Sequence, residues 1–167
     1  MVEVTSSGAA TVTLPTDEQI LIRREFDAPR DLVFRAYTKP ELVKRWWNAK
    51  RGEVTIAEID LRPGGRWRYV MIADGGGEVG FHGEYREVVP NEKIVSTEIF
   101  EGIPDGVYPD NATLNTATFT EVDGRTTLEL LVEAPSKEIR DAIIESGMEA
   151  GLQDALDLLE EVAISLR

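Results

Sequence analysis

The chain has 167 residues, 42% hydrophobic and 29% charged, with 18 Lys and Arg against 31 Asp and Glu, a formal net charge of −13. This length supports a hydrophobic core without disulfides or a structural metal, and the balance excludes a disordered or collagen-like chain. No stretch approaches the ~18 uninterrupted apolar residues of a membrane span, and the absence of cysteine excludes disulfides, thiolate metal sites and cysteine nucleophiles.

The acidic surface repels phosphate backbones, so neither nucleic acid nor an anionic membrane is an expected partner. Residues 1–10 are small and polar, read as a frayed tail ahead of a single domain over 11–167. They lack the basic start and apolar run of a secretion signal, and with zero cysteines the expected location is the cytoplasm.

Thr11–Leu14 alternates in the manner of a short strand, stopped by Pro15. Ile20–Phe26 is a strand with Ile20, Ile22, Arg24 and Phe26 on one face. Three of these four are apolar, so the face turns inward and Arg24 needs a partner. Asp27 is placed to cap a first helix running to about Tyr37, with Pro29 in its first turn. Thr38 and Glu41 match a capping box opening a second short helix that ends near Trp46-Trp47.

The pattern then changes to period two. Val54–Leu61, Arg66–Ala73, Gly80–Val89, Lys93–Phe100, Asn115–Glu121 and Thr126–Glu133 read as strands separated by Gly and Pro turns. Short connections predict consecutive antiparallel pairing. Residues 101–112 form a longer connection of the kind that is often functional. Ser136 caps a final helix of about thirty residues with one apolar stripe, which includes Met148, Leu152, Leu156 and Leu159. Ile139 and Ile143 fall off that stripe. Gly151 lies on or beside it, where either another backbone comes close or space is left empty. The packing expected is α+β: a sheet of about six or seven strands, closed on its apolar face by the long helix.

Several segments carry a family resemblance: Phe26-Asp-Ala-Pro-Arg through Lys44-Arg-Trp-Trp47, Leu61-Arg-Pro-Gly-Gly-Arg-Trp-Arg-Tyr69, Gly80-Phe-His-Gly-Glu-Tyr-Arg-Glu-Val88 and Ser146-Gly-Met-Glu-Ala-Gly151. Together they resemble the SRPBCC (START-like) superfamily. The nearer resemblance is to its bacterial branch related to the activator of the heat-shock-protein-90 ATPase, over roughly residues 11–165. The resemblance implies a helix-grip fold, in which a curved antiparallel sheet wraps a long C-terminal helix around a deep cavity. Superfamily members include lipid carriers, polyketide cyclases, hormone receptors and co-chaperone domains.

No catalytic constellation stands out, so no catalytic residue is assigned. The one histidine, His82, lies between Phe81 and Gly83 without a G-x-S-x-G elbow, and a single histidine does not make a metal site. No cofactor and no metal are expected. His82 reads as a surface strand residue, because Phe81, Gly83 and Tyr85 suit the inward face better; the alternative is a polar group in the cavity, a role also open to Arg24. Glu58, Asp60, Glu84, Glu87 and Glu98 read as solvated outer-face charges, two of which would form an acid/base pair only if brought together across strands.

The aromatic and apolar set is more informative. Trp67, Tyr69 and Met71 share a strand face, as do Phe81 and Tyr85, with Phe119 on a later strand and Met148 and Leu152 on the helix. With Trp47 as core or lid, these residues are the expected lining of a ligand cavity, weighed against plain core packing. The leading expectation is binding of a hydrophobic or aromatic small molecule. Alternatives are a polyketide-cyclase-like enzyme acting on such a ligand, and a co-chaperone-like domain that meets a protein partner through its acidic surface.

Overall fold

A computed structural model describes residues 9–101 and 112–167. The first strand, β1 (Thr11–Thr13), and β2 (Gln19–Phe26) precede helices α1 (Arg30–Thr38) and α2 (Pro40–Val43). The period-two block follows as β3 (Gly52–Ile59), β4 (Arg66–Ala73), β5 (Glu78–Val89), β6 (Lys93–Phe100), β7 (Thr113–Val122) and β8 (Arg125–Glu133). Helices α3 (Lys137–Glu145) and α4 (Met148–Ser165) end the chain.

The strands form one antiparallel sheet in the order β1-β2-β8-β7-β6-β5-β4-β3, so β3 to β8 are a simple meander and β2 closes onto β8. Among the described residues there are eight strands rather than about six or seven, because Thr11–Thr13 pairs with β2, Thr11 opposite Arg23 and Thr13 opposite Leu21. Register shifts interrupt β3 between Val54 and Ile56 and β5 between Tyr85 and Glu87. Each bulge bends its strand and increases the local twist, which curves this half of the sheet.

The inward face carries the core. Ile20, Ile22 and Phe26 of β2, Leu128 of β8, Phe119 and Ala117 of β7, and Ile94 of β6 are buried with Ala155, Leu156, Leu159, Val162 and Ala163 of α4. Each large side chain removed from water in this way contributes roughly 1.5–3 kcal/mol before entropy is counted. Helix α1 packs on α4 and reaches β7 and β8, with Leu32, Val33, Phe34 and Ala36 buried.

Three local expectations change. The C-terminal helix is not continuous: Gly147, at φ +84°, separates α3 from α4. The helical repeat is interrupted there, so Ile139 and Ile143 need not share the α4 stripe, and Ile143 packs on the core. Ser136 caps α3 as expected, its Oγ accepting from the Ile139 N–H at 3.2 Å. Thr38 does not cap α2; its Oγ1 donates to the Phe34 carbonyl at 2.7 Å and closes α1, leaving Lys39 as N-cap with Pro40 behind it. Asp27 does not cap α1, whose N-cap is Pro29; its carboxylate lies 3.4 Å from Arg125.

At the N-terminal end, residues 1–8 of the expected tail lie outside the described residues. Ala10 is buried against α4: its N–H donates to Gln153 Oε1 at 2.9 Å, and Gln153 Nε2 donates back to its carbonyl at 2.8 Å. The long connection at 101–112 also lies largely outside the described residues. No described helix is long and apolar enough to cross a membrane.

Candidate functional site

Strand register decides which side chains meet. Trp67 stands opposite Gly83, Tyr69 opposite Phe81, Tyr85 opposite Ser96 and Phe119 opposite Leu128. Opposed residues share a sheet face, and alternate residues along a strand return to it. Trp67, Tyr69, Phe81, Tyr85 and Phe119 are therefore on the same inward side as the core.

The rings touch in sequence. Trp47, in the turn after α2, meets Tyr69 edge-on at 5.5 Å between centroids and Phe81 at 5.8 Å. Tyr69 lies 4.9 Å from Trp67, and Phe81 lies 5.1 Å from Phe100. A second group joins α1 to the sheet: Tyr37 stacks on Trp46 at 5.6 Å and meets Phe119 edge-on at 5.5 Å. Trp46 is the structural member of the tryptophan pair, with Nε1 donating to the Ala36 carbonyl at 2.9 Å. Trp47, Tyr69, Phe81, Met148 and Leu152 are only partly buried while packing on the core.

Polar groups accompany these rings. Burial pushes the Tyr37, Tyr69 and Tyr85 hydroxyls well above the ordinary tyrosine range, and each is influenced by a neighbouring tyrosine or carboxylate. Glu98 is the unexpected member. Sequence reasoning put it outside, yet β6 turns Ile94, Ser96 and Glu98 to the same face, and Ile94 is in the core. Burial raises the Glu98 pKa; the Asn115 amide, 3.3 Å from Oε1, opposes that rise in part. The misplacement came from a strand with apolar residues on both faces, since Val95 and Ile99 alternate as regularly as Ile94 and Phe100. Only the pairing of β6 with its neighbours resolves it.

Other anticipated residues stand elsewhere. Met71 shares the face of Tyr69 but lies beyond the residues packed on the core. Arg24 is inward and 2% exposed, held by Asp157 at 2.8 Å and Glu160 at 3.0 Å on α4, with its guanidinium 5.1 Å from the Phe26 ring centroid. It ties α4 to β2, and both nitrogens that would greet a ligand are occupied. His82 is on the outward face, its side chain 44% exposed, with Nδ1 2.8 Å from Glu101. Glu101 also binds Arg68 through two hydrogen bonds of 2.9 and 3.0 Å, and that guanidinium holds its carboxyl below the usual range. A recess of about 240 Å³ lies here, lined in part by Glu58, Arg66, Arg68 and His82. There Arg68 and His82 are both engaged by Glu101.

Two glycines have opposite surroundings. A Cβ on Gly83 would overlap the Thr97 carbonyl oxygen and come within 2.7 Å of Trp67 Nε1. The room that glycine leaves is thus filled by the indole, which donates to that carbonyl at 3.1 Å. A Cβ on Gly151 would meet nothing within 4 Å, so no other backbone comes close there. Among the described residues, no group of three or more His, Cys, Asp or Glu is placed to hold a metal ion.

A family model described as Activator of Hsp90 ATPase homolog 1-like protein matches residues 27–163. No curated protein matches the chain. Among solved structures, the chain is similar to a Rhodobacter sphaeroides protein at 24% identity and TM-score 0.84, over 95% of this chain and 99% of that one. It is also similar to a Mycobacterium smegmatis protein at 25% identity and TM-score 0.80, over 91% and 95% of the two chains. A Staphylococcus epidermidis protein matches at 28% identity and TM-score 0.78, over 94% and 95%. The helix-grip arrangement is common to them along nearly their whole lengths. With its family match extending from the start of α1 almost to the end of α4, the chain belongs to the Activator of Hsp90 ATPase homolog 1-like family of the SRPBCC superfamily.

Proposed function

We propose that the protein binds a small hydrophobic or aromatic molecule between β4–β6 and the first turns of α4. One observation carries this reading. Tyr37, Tyr69 and Glu98 lie deep enough that burial dominates their ionisation, yet each keeps accessible surface. A space between sheet and helix would account for surface retained at such depth, and Gly151, in the first turns of α4, has open space on its side. A mostly aromatic wall with a few converging polar groups is the usual composition of a small-molecule site. Trp47, Trp67, Tyr69, Phe81, Tyr85, Met148 and Leu152 supply that wall, and Phe119 backs it from the core.

The test is a titration with N-phenyl-1-naphthylamine, a neutral aromatic probe, followed by tryptophan fluorescence. Saturable quenching is expected, because Trp47 and Trp67 adjoin Tyr69. Gly151→Leu should fill the space and weaken the probe several-fold while the protein stays folded. A folded protein whose tryptophans do not respond at high probe concentration contradicts the reading.

Glu98 favours a second reading, an enzyme of the polyketide-cyclase kind. A carboxyl whose pKa is raised by burial beside tyrosine hydroxyls is equipped to exchange a proton with a bound ligand. Chemical change of a bound aromatic polyketone, abolished in Glu98→Gln with binding retained, would support that reading; unchanged turnover in the variant would remove Glu98 from it.

A further inference from the structure

An apolar cavity has no evident use for Glu98. The group is nonetheless held in place: Thr113 Oγ1 lies 2.9 Å from Asn115 Oδ1, which leaves Asn115 Nδ2 aimed at Glu98 Oε1, 3.3 Å away. Thr113 is buried, so the relay is anchored in the fold. Asn115 supplies one hydrogen bond but no charge. Among the described residues no Lys, Arg or His pairs with Glu98, although Arg24, Arg51, Arg68 and Arg140 each find a carboxylate. Residues 1–8 and 102–111 contain none of these three residue types. A carboxylate enclosed without a cation is costly, and a cation brought from outside relieves that cost.

The surroundings suit a cation as well. Tyr37 and Tyr69 both lie close enough to feel the Glu98 charge, and Tyr69 leads through its ring contact to Trp47 and Phe81. The faces of such rings are electronegative and attract ammonium groups. On the scale of the whole molecule, a net charge of −13 raises the local concentration of cations and depletes anions.

We propose that the cavity selects an apolar or aromatic amine, whose protonated nitrogen pairs with the Glu98 carboxylate while its hydrocarbon part lies against Trp47, Tyr69 and Phe81. This rests on the ligand-binding reading above and adds the chemical class of the ligand.

Three probes of one shape test it: 2-(1-naphthyl)ethylamine, 2-(1-naphthyl)ethanol and 1-naphthaleneacetic acid, titrated calorimetrically near neutral pH. About 1 M salt shortens the Debye length to about 3 Å, which screens the general acidic field and leaves the local pair. The amine should bind about tenfold or more tighter than the alcohol, as a charge-assisted hydrogen bond provides, and the acid weakest. In Glu98→Gln the amine should fall to the alcohol's affinity while the alcohol changes by less than about twofold. Equal binding of all three by the wild-type protein leaves the cavity standing and overturns the amine assignment. So does an amine preference that survives in the variant. Failure of all three to bind overturns the cavity reading and this assignment with it. The wild-type comparison needs no variant, so it stands if Glu98→Gln does not fold.

Discussion

Gly83 and Gly151 look alike in the sequence, each a small residue beside an apolar stripe, but they have opposite physical reasons. Gly83 is glycine because Thr97 and Trp67 occupy the Cβ position. Gly83→Ala should therefore lower stability by about 1–3 kcal/mol through overpacking, read from urea denaturation. Gly151 has nothing near it, so Gly151→Ala should raise stability by about 0.5–1 kcal/mol, the usual gain in a helix interior. Equal effects of the two changes would contradict this distinction. Glu98 makes a pH prediction. Its folded pKa is raised above the ordinary 4.5, so the native state binds the extra proton and stability falls as pH rises from about 4.5 through the folded value. Glu98→Gln removes that penalty. The variant should melt above the wild type at neutral pH, with the advantage shrinking as the solution is acidified below the ordinary glutamate range. An advantage that grows on acidification would mean the sign is wrong. Neither glycine's reason nor the inward turn of Glu98 was legible in the sequence, because each depends on what a neighbouring strand or helix brings close.

At the scale of elements, the sequence was more telling. The inward face of β2 was read from alternation alone, and with it the need of Arg24 for a partner; that the partners are Asp157 and Glu160 required the docking of α4. Arg24→Met should destabilise by about 3 kcal/mol, the low end for breaking a buried pair, because the Asp157 and Glu160 side chains remain 43% and 21% exposed. Chemical denaturation measures it, and a loss below about 1 kcal/mol would show that the pair behaves like a surface one. The α3–α4 break was half-visible: Ile139 and Ile143 out of phase with the later stripe are what an interruption of the helical repeat produces. Gly147, at φ +84°, marks the joint. Gly147→Ala should cost about 1 kcal/mol, the penalty for a side chain in left-handed backbone. A variant as stable as the wild type would mean that the joint can be rebuilt as continuous helix. The capping assignments at Asp27 and Thr38 failed for a common reason. Pro29 and Pro40 fix the backbone where each helix begins, so the helix starts at the residue after Pro29 and at Pro40 itself, and the nearby polar side chains are free for other bonds.

For the whole molecule, a single antiparallel sheet closed by an apolar-striped helix was legible from period and turn spacing, since a meander with short connections leaves few other packings. Strand register was not, because a slip of one residue exchanges the two faces and only the pairings settle it. Those pairings put Trp67, Tyr69, Phe81 and Tyr85 on the side of α4 and His82 on the other. The inward face thus gathers aromatic rings, tyrosine hydroxyls and the Glu98 carboxyl, while Arg68, His82 and Glu101 pair with one another on the outer face. The decisive measurement is an isotope-filtered NOE experiment on carbon-13-labelled protein saturated with N-phenyl-1-naphthylamine. A ligand held on the inward face gives NOEs to the ring protons of Trp47, Tyr69 and Phe81 and to the Met148 methyl, and none to His82. NOEs confined to the outward recess around Arg68 and His82, or none at saturation, would contradict a ligand site between the sheet and α4.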